Sequence, residues 1–338
     1  MGTLLKNLGL VLLSAGCTVF VCEVMSRILI PVSTGAVKMS MAGEVLDIGP
    51  VEPGARFRLV TREYDVVNSI SRDGFRGSAV SQPETVFVGD SFTFGQGVED
   101  SETFAYRFCE ESGASCANLG VPGTGTCDQV ERLKHYLEVK GWRPKTVILS
   151  MLVMTKSLGA GNDLLDNIIC ENRKKQAGSQ PVADSLGVEP TEESKDGVGG
   201  GTSIYRSVLR HSNLARLVKY YFGPQLKSLL SPEVDGRVLA ESLKLTKKNL
   251  RQFEELSRQY GFELKIYLIH PVQDILGGTY QETLKEIRAL SSSEIESTAP
   301  LFVEDPQKYY YKMDGHFNKI GTEKVATFLQ EREKRSSR

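Results

Sequence analysis

Short apolar runs alternate with stretches of helical periodicity over most of the chain. In the first half, three apolar runs are separated by two helical stretches: Thr85–Val88, Ser101–Glu111, Ala117–Leu119, Asp128–Lys140 and Thr146–Val153. The second half repeats the alternation and ends in a short apolar strand and a helix: Arg237–Tyr260, Glu263–Ile269, Tyr280–Leu290, Leu301–Val303 and Lys319–Arg332. Strands joined by helices form parallel sheets that helices cover on both faces. The sequence therefore predicts an α/β fold.

An apolar segment near the N-terminus runs from Leu8 to Ile30, a span of 23 residues. As a helix it would cover about 35 Å, which exceeds the roughly 30 Å of a bilayer core. Glu23 and Arg27 stand four residues apart, so they can pair on one helix face. We predict an N-terminal transmembrane helix that anchors the protein in the cell membrane, with a cleaved signal peptide as the alternative. Either interpretation places the rest of the chain outside the cytoplasm, in the periplasm or outside the cell.

Composition shifts divide the rest of the chain. We expect the anchor or signal sequence over residues 1–31, and a linker with a small β-rich lead-in over residues 32–80. One α/β domain follows over residues 81–335. Within that domain, residues 171–203 are rich in Gly, Ser, Pro, Glu and Lys, which predicts a mobile insertion.

The charge balance and the cysteine spacing exclude several partners. Lys and Arg number 41 against 42 Asp and Glu, a net charge of −1, so we predict no nucleic-acid partner. No cysteine or histidine pair has the spacing of a zinc site, so we predict neither a metal nor a cofactor. In an oxidising compartment four cysteines can form two disulfides in three pairings, or they can remain separate buried thiols: Cys109, Cys116, Cys127 and Cys170. The sequence does not choose among these.

A serine and a histidine stand at the two ends of the predicted α/β domain. Ser91 follows the first apolar strand within Val88–Gly95, and the carboxyl edge of a parallel sheet is where open α/β folds bind ligands. Asp314 and His316 precede the final helix. A serine hydroxyl becomes a nucleophile when a base, itself oriented by a carboxylate, takes its proton. We therefore predict a catalytic set of Ser91, His316 and Asp314.

Acyl transfer also needs donors directed at the oxyanion that develops on the substrate. Between the serine and the histidine, Gly123 lies in a glycine-rich stretch where a backbone N–H can approach a substrate closely. Asn162, within Gly161-Asn162-Asp163, offers a side-chain amide. Both follow predicted strands, so both are candidates for an oxyanion hole.

Four of these segments, in chain order, resemble the four sequence blocks of the SGNH (GDSL-type) hydrolases: Gly89–Phe92, Asn118–Gly123, Gly161–Asp163 and Asp314–His316. The resemblance covers about residues 84–330. Three segments are similar in particular to membrane-anchored members found with bacterial surface-polysaccharide genes: Asp73–Gly77, Gly89–Gly95 and Asp314–Asn318.

The resemblance implies a three-layer, flavodoxin-like fold and an acyl-serine mechanism. It makes Ser91 the nucleophile, His316 the base and Asp314 the partner of the base. The oxyanion hole would consist of the Ser91 N–H, the Gly123 N–H and the Asn162 side chain. The implied activity is a serine esterase that removes O-acetyl or short acyl groups from a polysaccharide, with exopolysaccharide-assembly proteins as partners.

Two departures from the family pattern make further residues candidates. Only Gly315 separates the acid from the histidine, where the family usually has two residues, so Glu304 and Asp305 are fallback carboxylates. About seven residues separate the third strand from Gly161-Asn162, so Asn167 is a second candidate donor. His270, at the end of a buried strand, is a second candidate base.

The same residues allow two other functions. An O-acetyltransferase of a surface polysaccharide would keep the catalytic set and change the acyl acceptor. A non-catalytic glycan-binding or assembly module would keep only the fold.

Overall fold

The computed structural model describes residues 2–29, 36–37, 53–61, 63–155, 162–177, 212–215, 218 and 236–336. These residues belong to two units. The smaller unit holds residues 2–29, 36–37, 60–61, 212–215 and 218, and the larger unit holds the others. Most of the predicted linker over residues 32–50, and residues 178–203 of the predicted mobile insertion, lie outside the described residues.

The smaller unit is built on a long N-terminal helix, α1 (Gly2–Leu29), with a short strand, β1 (Ala36–Val37). Within α1, Arg27 pairs with Glu23, their side-chain nitrogen and oxygen 2.7 Å apart. The Glu23 carboxylate also accepts hydrogen bonds from the Ser212 hydroxyl at 2.8 Å and from the backbone N–H groups of Asn213 and Leu214 at 2.8 and 2.9 Å. Glu23 thus caps the backbone at residues 213–214.

The prediction of an N-terminal transmembrane helix is wrong. Over the residues described in the structure, every helix falls short of the combined length and hydrophobicity that crossing a bilayer requires. The charged residues Glu23 and Arg27 lie within the segment Leu8–Ile30 and interrupt its apolar sequence. The part without a charged residue, Leu8–Cys22, has 15 residues. As a helix it covers about 22 Å, less than the roughly 30 Å of a bilayer core.

A small β-rich segment precedes the α/β part of the larger unit. Strands β2 (Arg56–Val60) and β3 (Asp65–Ser69) are neighbours in one sheet, where the sequence has short alternating runs. Further along, the backbone of Arg76 bridges both Ile70 and Asn118, so this segment is joined to the α/β layer that follows.

Five parallel strands form the central sheet, as the alternation of elements predicts: β4 (Thr85–Gly89), β5 (Cys116–Asn118), β6 (Thr146–Leu152), β7 (Glu263–Ile269) and β8 (Ile295–Ser297). Their order across the sheet is β5-β4-β6-β7-β8, and each neighbouring pair is parallel. The first strand in sequence therefore lies second in space, with the second strand outside it. This is the flavodoxin-like order of doubly wound sheets, in which ligands bind where the order reverses.

The last predicted strand, Leu301–Val303, is wrong. That apolar triplet lies at the end of a 3₁₀ turn, Ala299–Leu301, with Pro300 near its start. Proline has no N–H to donate to a strand ladder, so it favours such a turn. The edge strand is instead Ile295–Ser297, whose Ile295 is buried.

Helices cover both faces of the sheet, and their bounds are α2 (Ser91–Phe94), α3 (Phe104–Ser112), α4 (Thr126–Glu138), α5 (Asp163–Ala177), α6 (Gly236–Tyr260), α7 (Val272–Gly277), α8 (Tyr280–Arg288) and α9 (Lys319–Ser336). Two further 3₁₀ segments are Asp100–Glu102 and Pro306–Lys308. Residues 171–177 of the predicted mobile insertion are the end of α5 rather than a loop.

Alternate residues of the strands feed two separate cores, because successive side chains of a strand point to opposite faces. Val86 and Val88 of β4 pack with α4 and α6 on one face. Phe87, between them, packs with α3 and α9 on the other face. The fold therefore has three layers, with the sheet in the middle.

Two disulfides resolve the pairing that the sequence leaves open. Cys109 of α3 is bonded to Cys116 of β5, at a sequence separation of 7. Cys127 of α4 is bonded to Cys170 of α5, at a sequence separation of 43. The second bridge joins two helices on the same face of the sheet.

Candidate active site

Ser91 stands where β4 ends and α2 begins, at the carboxyl edge of the sheet. The turn is tight: a Cβ on Gly89 would lie 2.5 Å from the Ser150 backbone oxygen and 2.1 Å from the Thr93 hydroxyl oxygen. Only glycine fits there. Asp90 caps the short helix, since its Oδ1 accepts a hydrogen bond from the Phe92 N–H at 2.9 Å. The local sequence therefore places the Ser91 side chain at the rim of the sheet.

His316 meets Ser91 at this rim. Its Nε2 lies 2.7 Å from Ser91 Oγ, although the two residues are 225 positions apart in the chain. Its Nδ1 is hydrogen-bonded to Asp314 Oδ1. The Phe92 ring packs beside the imidazole, with ring centroids 4.7 Å apart. The structure thus brings together all three predicted residues, and their catalytic roles stay a prediction.

The environment of Asp314 favours the ionised carboxylate. Burial alone would raise the pKa of Asp314, but hydrogen bonds from His316, Tyr64 and Gln96 outweigh it and lower the pKa below its ordinary value. The Tyr64 hydroxyl donates to Asp314 Oδ2 at 2.8 Å, and Gln96 Nε2 donates to the same oxygen at 3.3 Å. A carboxylate at Nδ1 accepts the Nδ1 proton, which leaves Nε2 as the acceptor that faces the serine hydroxyl. This is the arrangement in which an imidazole acts as general base toward a serine.

Of the predicted oxyanion donors, Gly123 is exposed and Asn162 is buried. Gly123 is exposed in the loop between β5 and α4, with φ +69°, and a Cβ there would meet nothing within 4 Å. Asn162 is fully buried at the start of α5. Its amide donates to the Met154 carbonyl at 2.7 Å, and its Oδ1 accepts from the Leu164 N–H at 3.2 Å. Asn162 thus connects the segment after β6 to the start of α5 by hydrogen bonds. Its role as a donor to an oxyanion stays a prediction.

Asn167, the second candidate donor, belongs to a buried network between helices. Its Oδ1 accepts hydrogen bonds from the Cys127 N–H at 2.8 Å and the Thr126 hydroxyl at 3.0 Å. Its Nδ2 donates to the Thr246 hydroxyl at 2.8 Å. Asn167 therefore connects α5 to α4 and α6.

His270, the second candidate base, has the character of a core residue. It is fully buried at the end of β7, and burial lowers its pKa to about 4. The imidazole packs beside the Tyr280 ring, with centroids 5.7 Å apart, and the described residues supply no hydrogen bond to either ring nitrogen. The fallback carboxylates Glu304 and Asp305 are exposed on the surface, whereas the carboxylate bonded to the His316 imidazole is that of Asp314.

Among the residues that the structure describes, no three His, Cys, Asp or Glu side chains are placed to hold a metal ion.

Two features of the site escaped the sequence analysis. Tyr64 comes from the β-rich segment, 250 positions before the carboxylate that it contacts, and nothing in the local sequence marks it. Behind Ser91, Asp90 and Asp163 are both buried, and each has one oxygen for which the described residues supply no hydrogen bond. Burial raises the pKa of both carboxyls, to about 7 for Asp90 and well above the ordinary value for Asp163, where repulsion from Asp90 adds to it. In the sequence, the only indication of this pair is that each aspartate is next to a predicted site residue: Asp90 to Ser91, and Asp163 to Asn162.

Comparisons with known proteins give a distant likeness in structure alone. No protein-family model matches the chain, and no curated protein sequence matches it. One solved structure with a similar fold concerns a carbohydrate esterase whose active site displays divergent catalytic and non-catalytic binding functions. It has 9% identity and a TM-score of 0.38, over 86% of this chain and 95% of that chain.

Another is a carbohydrate esterase family 2 enzyme with a carbohydrate-binding domain from Corynascus thermopiles (Myceliophthora fergusii). It has 10% identity and a TM-score of 0.31, over 81% of this chain and 71% of that chain. Both neighbours are carbohydrate esterases.

Proposed function

We propose that the protein is a serine esterase that removes O-acetyl or other short acyl groups from a carbohydrate through an acyl-serine intermediate. One observation carries the proposal: His316 Nε2 lies 2.7 Å from Ser91 Oγ while Nδ1 is bonded to Asp314. A serine, a base and an ionised carboxylate in this order are the groups that activate a hydroxyl for attack on an ester.

The proposed reaction has two balanced halves. In the first half, His316 takes the Ser91 hydroxyl proton as Oγ attacks the ester carbonyl, and it then gives that proton to the leaving sugar hydroxyl. The products are the free sugar hydroxyl and an acyl-serine. In the second half, His316 takes a proton from water as the water oxygen attacks the acyl carbonyl, and the proton returns to Oγ as the carboxylic acid leaves. The negative charge of Asp314 stabilises the imidazolium that forms in each half.

Backbone N–H groups at the rim are the proposed oxyanion donors. Ser91 and Gly123 follow β4 and β5, which are adjacent strands in the sheet, so both loops belong to the same edge. Exposure of Gly123 supports its access to a substrate. Removing one donor of this kind typically lowers kcat by about 10²–10³-fold.

We also propose that the enzyme works outside the cytoplasm. Two disulfides support this location, because such bonds form and persist in oxidising compartments such as the bacterial periplasm. A surface polysaccharide is the substrate that fits both this location and the sequence resemblance.

Acetate release from an O-acetylated oligosaccharide tests the proposal. The full-length protein should release acetate, and Ser91→Ala should lose about 10³-fold or more of the rate while keeping its thermal unfolding temperature. Ser150→Ala is a matched control, since Ser150 is also buried at this edge of the sheet, directly across from Gly89. Equal acetate release by the wild-type protein and Ser91→Ala would refute the proposal.

A further inference from the structure

The loop that carries Asp314 and His316 turns on Gly315. Gly315 adopts φ +82°, in the region that favours glycine. Its N–H donates to the Tyr311 carbonyl at 3.0 Å, and the Tyr311 N–H donates to the His316 carbonyl at 2.8 Å. This turn explains how a carboxylate only two positions before a histidine can face its Nδ1. It does not fix the rotation of the carboxylate itself.

The second oxygen of Asp314 supplies that constraint. Oδ1 is bonded to His316, and Oδ2 accepts hydrogen bonds from the Tyr64 hydroxyl at 2.8 Å and from Gln96 Nε2 at 3.3 Å. A carboxylate held at both oxygens cannot rotate about its Cβ–Cγ bond without losing a bond. The hydroxyl bond is the shorter of the two at Oδ2, and hydrogen bonds to a charged acceptor are among the strong ones in proteins.

Glu63, the residue before Tyr64, binds the backbone of the loop that carries Asp314. The Glu63 carboxylate accepts hydrogen bonds from the Met313 N–H at 3.1 Å and the Asp314 N–H at 2.8 Å. Two consecutive residues, between strands β2 and β3, therefore hold both the backbone and the side chain of the predicted acid.

Tyr64 is itself fixed in place. Its side chain is buried, and its ring lies against Tyr311, with centroids 5.0 Å apart. The Tyr311 hydroxyl donates to the Gly97 carbonyl at 2.8 Å, which ties this pair of rings to the loop after α2. Burial, and then the charge of Asp314, raise the pKa of Tyr64 far above its ordinary value. The hydroxyl therefore keeps its proton and stays a donor at every pH at which the protein would work.

From this geometry we propose that Tyr64 is a positioning residue for the reaction: its hydroxyl holds the Asp314 carboxylate in the orientation that bonds His316 Nδ1. The β-rich segment would then be part of the active site rather than a spacer before it. The effect on catalysis rests on the proposed function, whereas the effect on the bond between Asp314 and His316 does not.

Tyr64→Phe in the full-length protein tests the inference. We expect kcat for p-nitrophenyl acetate to fall about 10-fold with KM unchanged within twofold, since the lost bond acts on the acid–base pair and not on the substrate. Tyr136→Phe is the matched control, because it also loses a buried hydroxyl, here one that donates to the Asp73 carbonyl at 2.5 Å. The control should keep kcat within twofold.

A second measurement does not depend on turnover. The proton shared by His316 Nδ1 and Asp314 gives a resonance far downfield in the proton NMR spectrum. We expect it to shift or broaden in Tyr64→Phe and to be unchanged in Tyr136→Phe. An inactive wild-type protein with this result would refute the esterase and support the positioning role. An unchanged resonance together with kcat within twofold of wild type would overturn the inference.

Gln96→Met provides the test should Tyr64→Phe fail to fold. It removes the longer of the two hydrogen bonds to the same oxygen, so we expect kcat to fall about 2- to 5-fold and the same resonance to shift. Wild-type values for both would refute the premise that the hydrogen bonds at Oδ2 hold the Asp314 carboxylate, and the inference with it.

Discussion

The buried carboxyl pair behind Ser91 predicts how stability depends on pH. Burial raises the pKa of Asp90 and Asp163 above the ordinary value of 3.8, so the folded protein holds protons that the unfolded chain releases. The stabilisation from these protons is complete below about pH 4 and is lost as the pH rises through the folded-state pKa, about 7 for Asp90. Between its unfolded-state and folded-state pKa, each such group lowers the free energy of unfolding by about 1.4 kcal/mol per pH unit.

Asp163→Asn removes one of the two groups and keeps the shape of the side chain. As the pH rises from 5 to 7 the variant should therefore gain stability relative to wild type, at up to about 1.4 kcal/mol per pH unit while Asp163 stays protonated in the fold. The amide can still accept the hydrogen bond that Gln129 Nε2 donates to Asp163 at 3.4 Å.

Urea unfolding followed by tryptophan fluorescence measures this change. The single tryptophan, Trp142, is buried in the core and reports loss of packing. Asp305→Asn makes the same chemical change at an exposed site and should follow the wild-type curve. Parallel curves for Asp163→Asn and wild type from pH 5 to pH 7 would refute the reasoning, because they would mean that Asp163 is already ionised in the fold.

Further predictions concern the disulfides and the turn at the acid. Replacing both cysteines of Cys127–Cys170 by alanine should lower the free energy of unfolding by about 4 kcal/mol, and replacing both of Cys109–Cys116 by about 2.4 kcal/mol, because the loops span 43 and 7 positions. Urea unfolding midpoints show which disulfide contributes more stability. A larger fall in the free energy of unfolding on removal of Cys109–Cys116 than of Cys127–Cys170 would contradict the prediction. Gly315→Ala meets no atom within 4 Å but must adopt φ +82°, so it should cost about 1–2 kcal/mol of stability and about 10-fold in kcat. Unchanged thermal unfolding and ester hydrolysis would show that the turn tolerates other residues.

Local sequence was sufficient for four of the five strands of the central sheet and for the two ends of the site. Continuous apolar runs predict buried parallel strands, and the predicted strand Glu263–Ile269 agrees with the observed one at both ends. Ser91 could be placed at the edge of the sheet because it follows a parallel strand, and His316 could be paired with it because a serine nucleophile needs a base that a carboxylate orients. Their type and their order along the chain then predicted the chemistry.

Long-range contacts account for what the sequence analysis missed. The apolar run near the N-terminus looks continuous unless Glu23 is treated as a break, and its hydrogen bonds to residues 212–214 become visible only in the fold. Similarly, Tyr64 is one of several tyrosines in the sequence, and its contact with Asp314 depends on a segment folding back across 250 positions. The disulfide pairing also depends on long-range contacts, since four cysteines allow three pairings and only the fold decides which cysteines are close.

Labelling with a fluorophosphonate probe tests the central claim most directly, because the probe forms a bond only with a serine that a neighbouring base activates. We expect one label per chain, on the peptide that contains Ser91, and no label on Ser91→Ala. Asp314→Asn should react at least 10-fold more slowly, since the imidazole loses the carboxylate that orients it. An unlabelled wild-type protein, or equal labelling of Ser91→Ala, would contradict the claim that His316 activates Ser91.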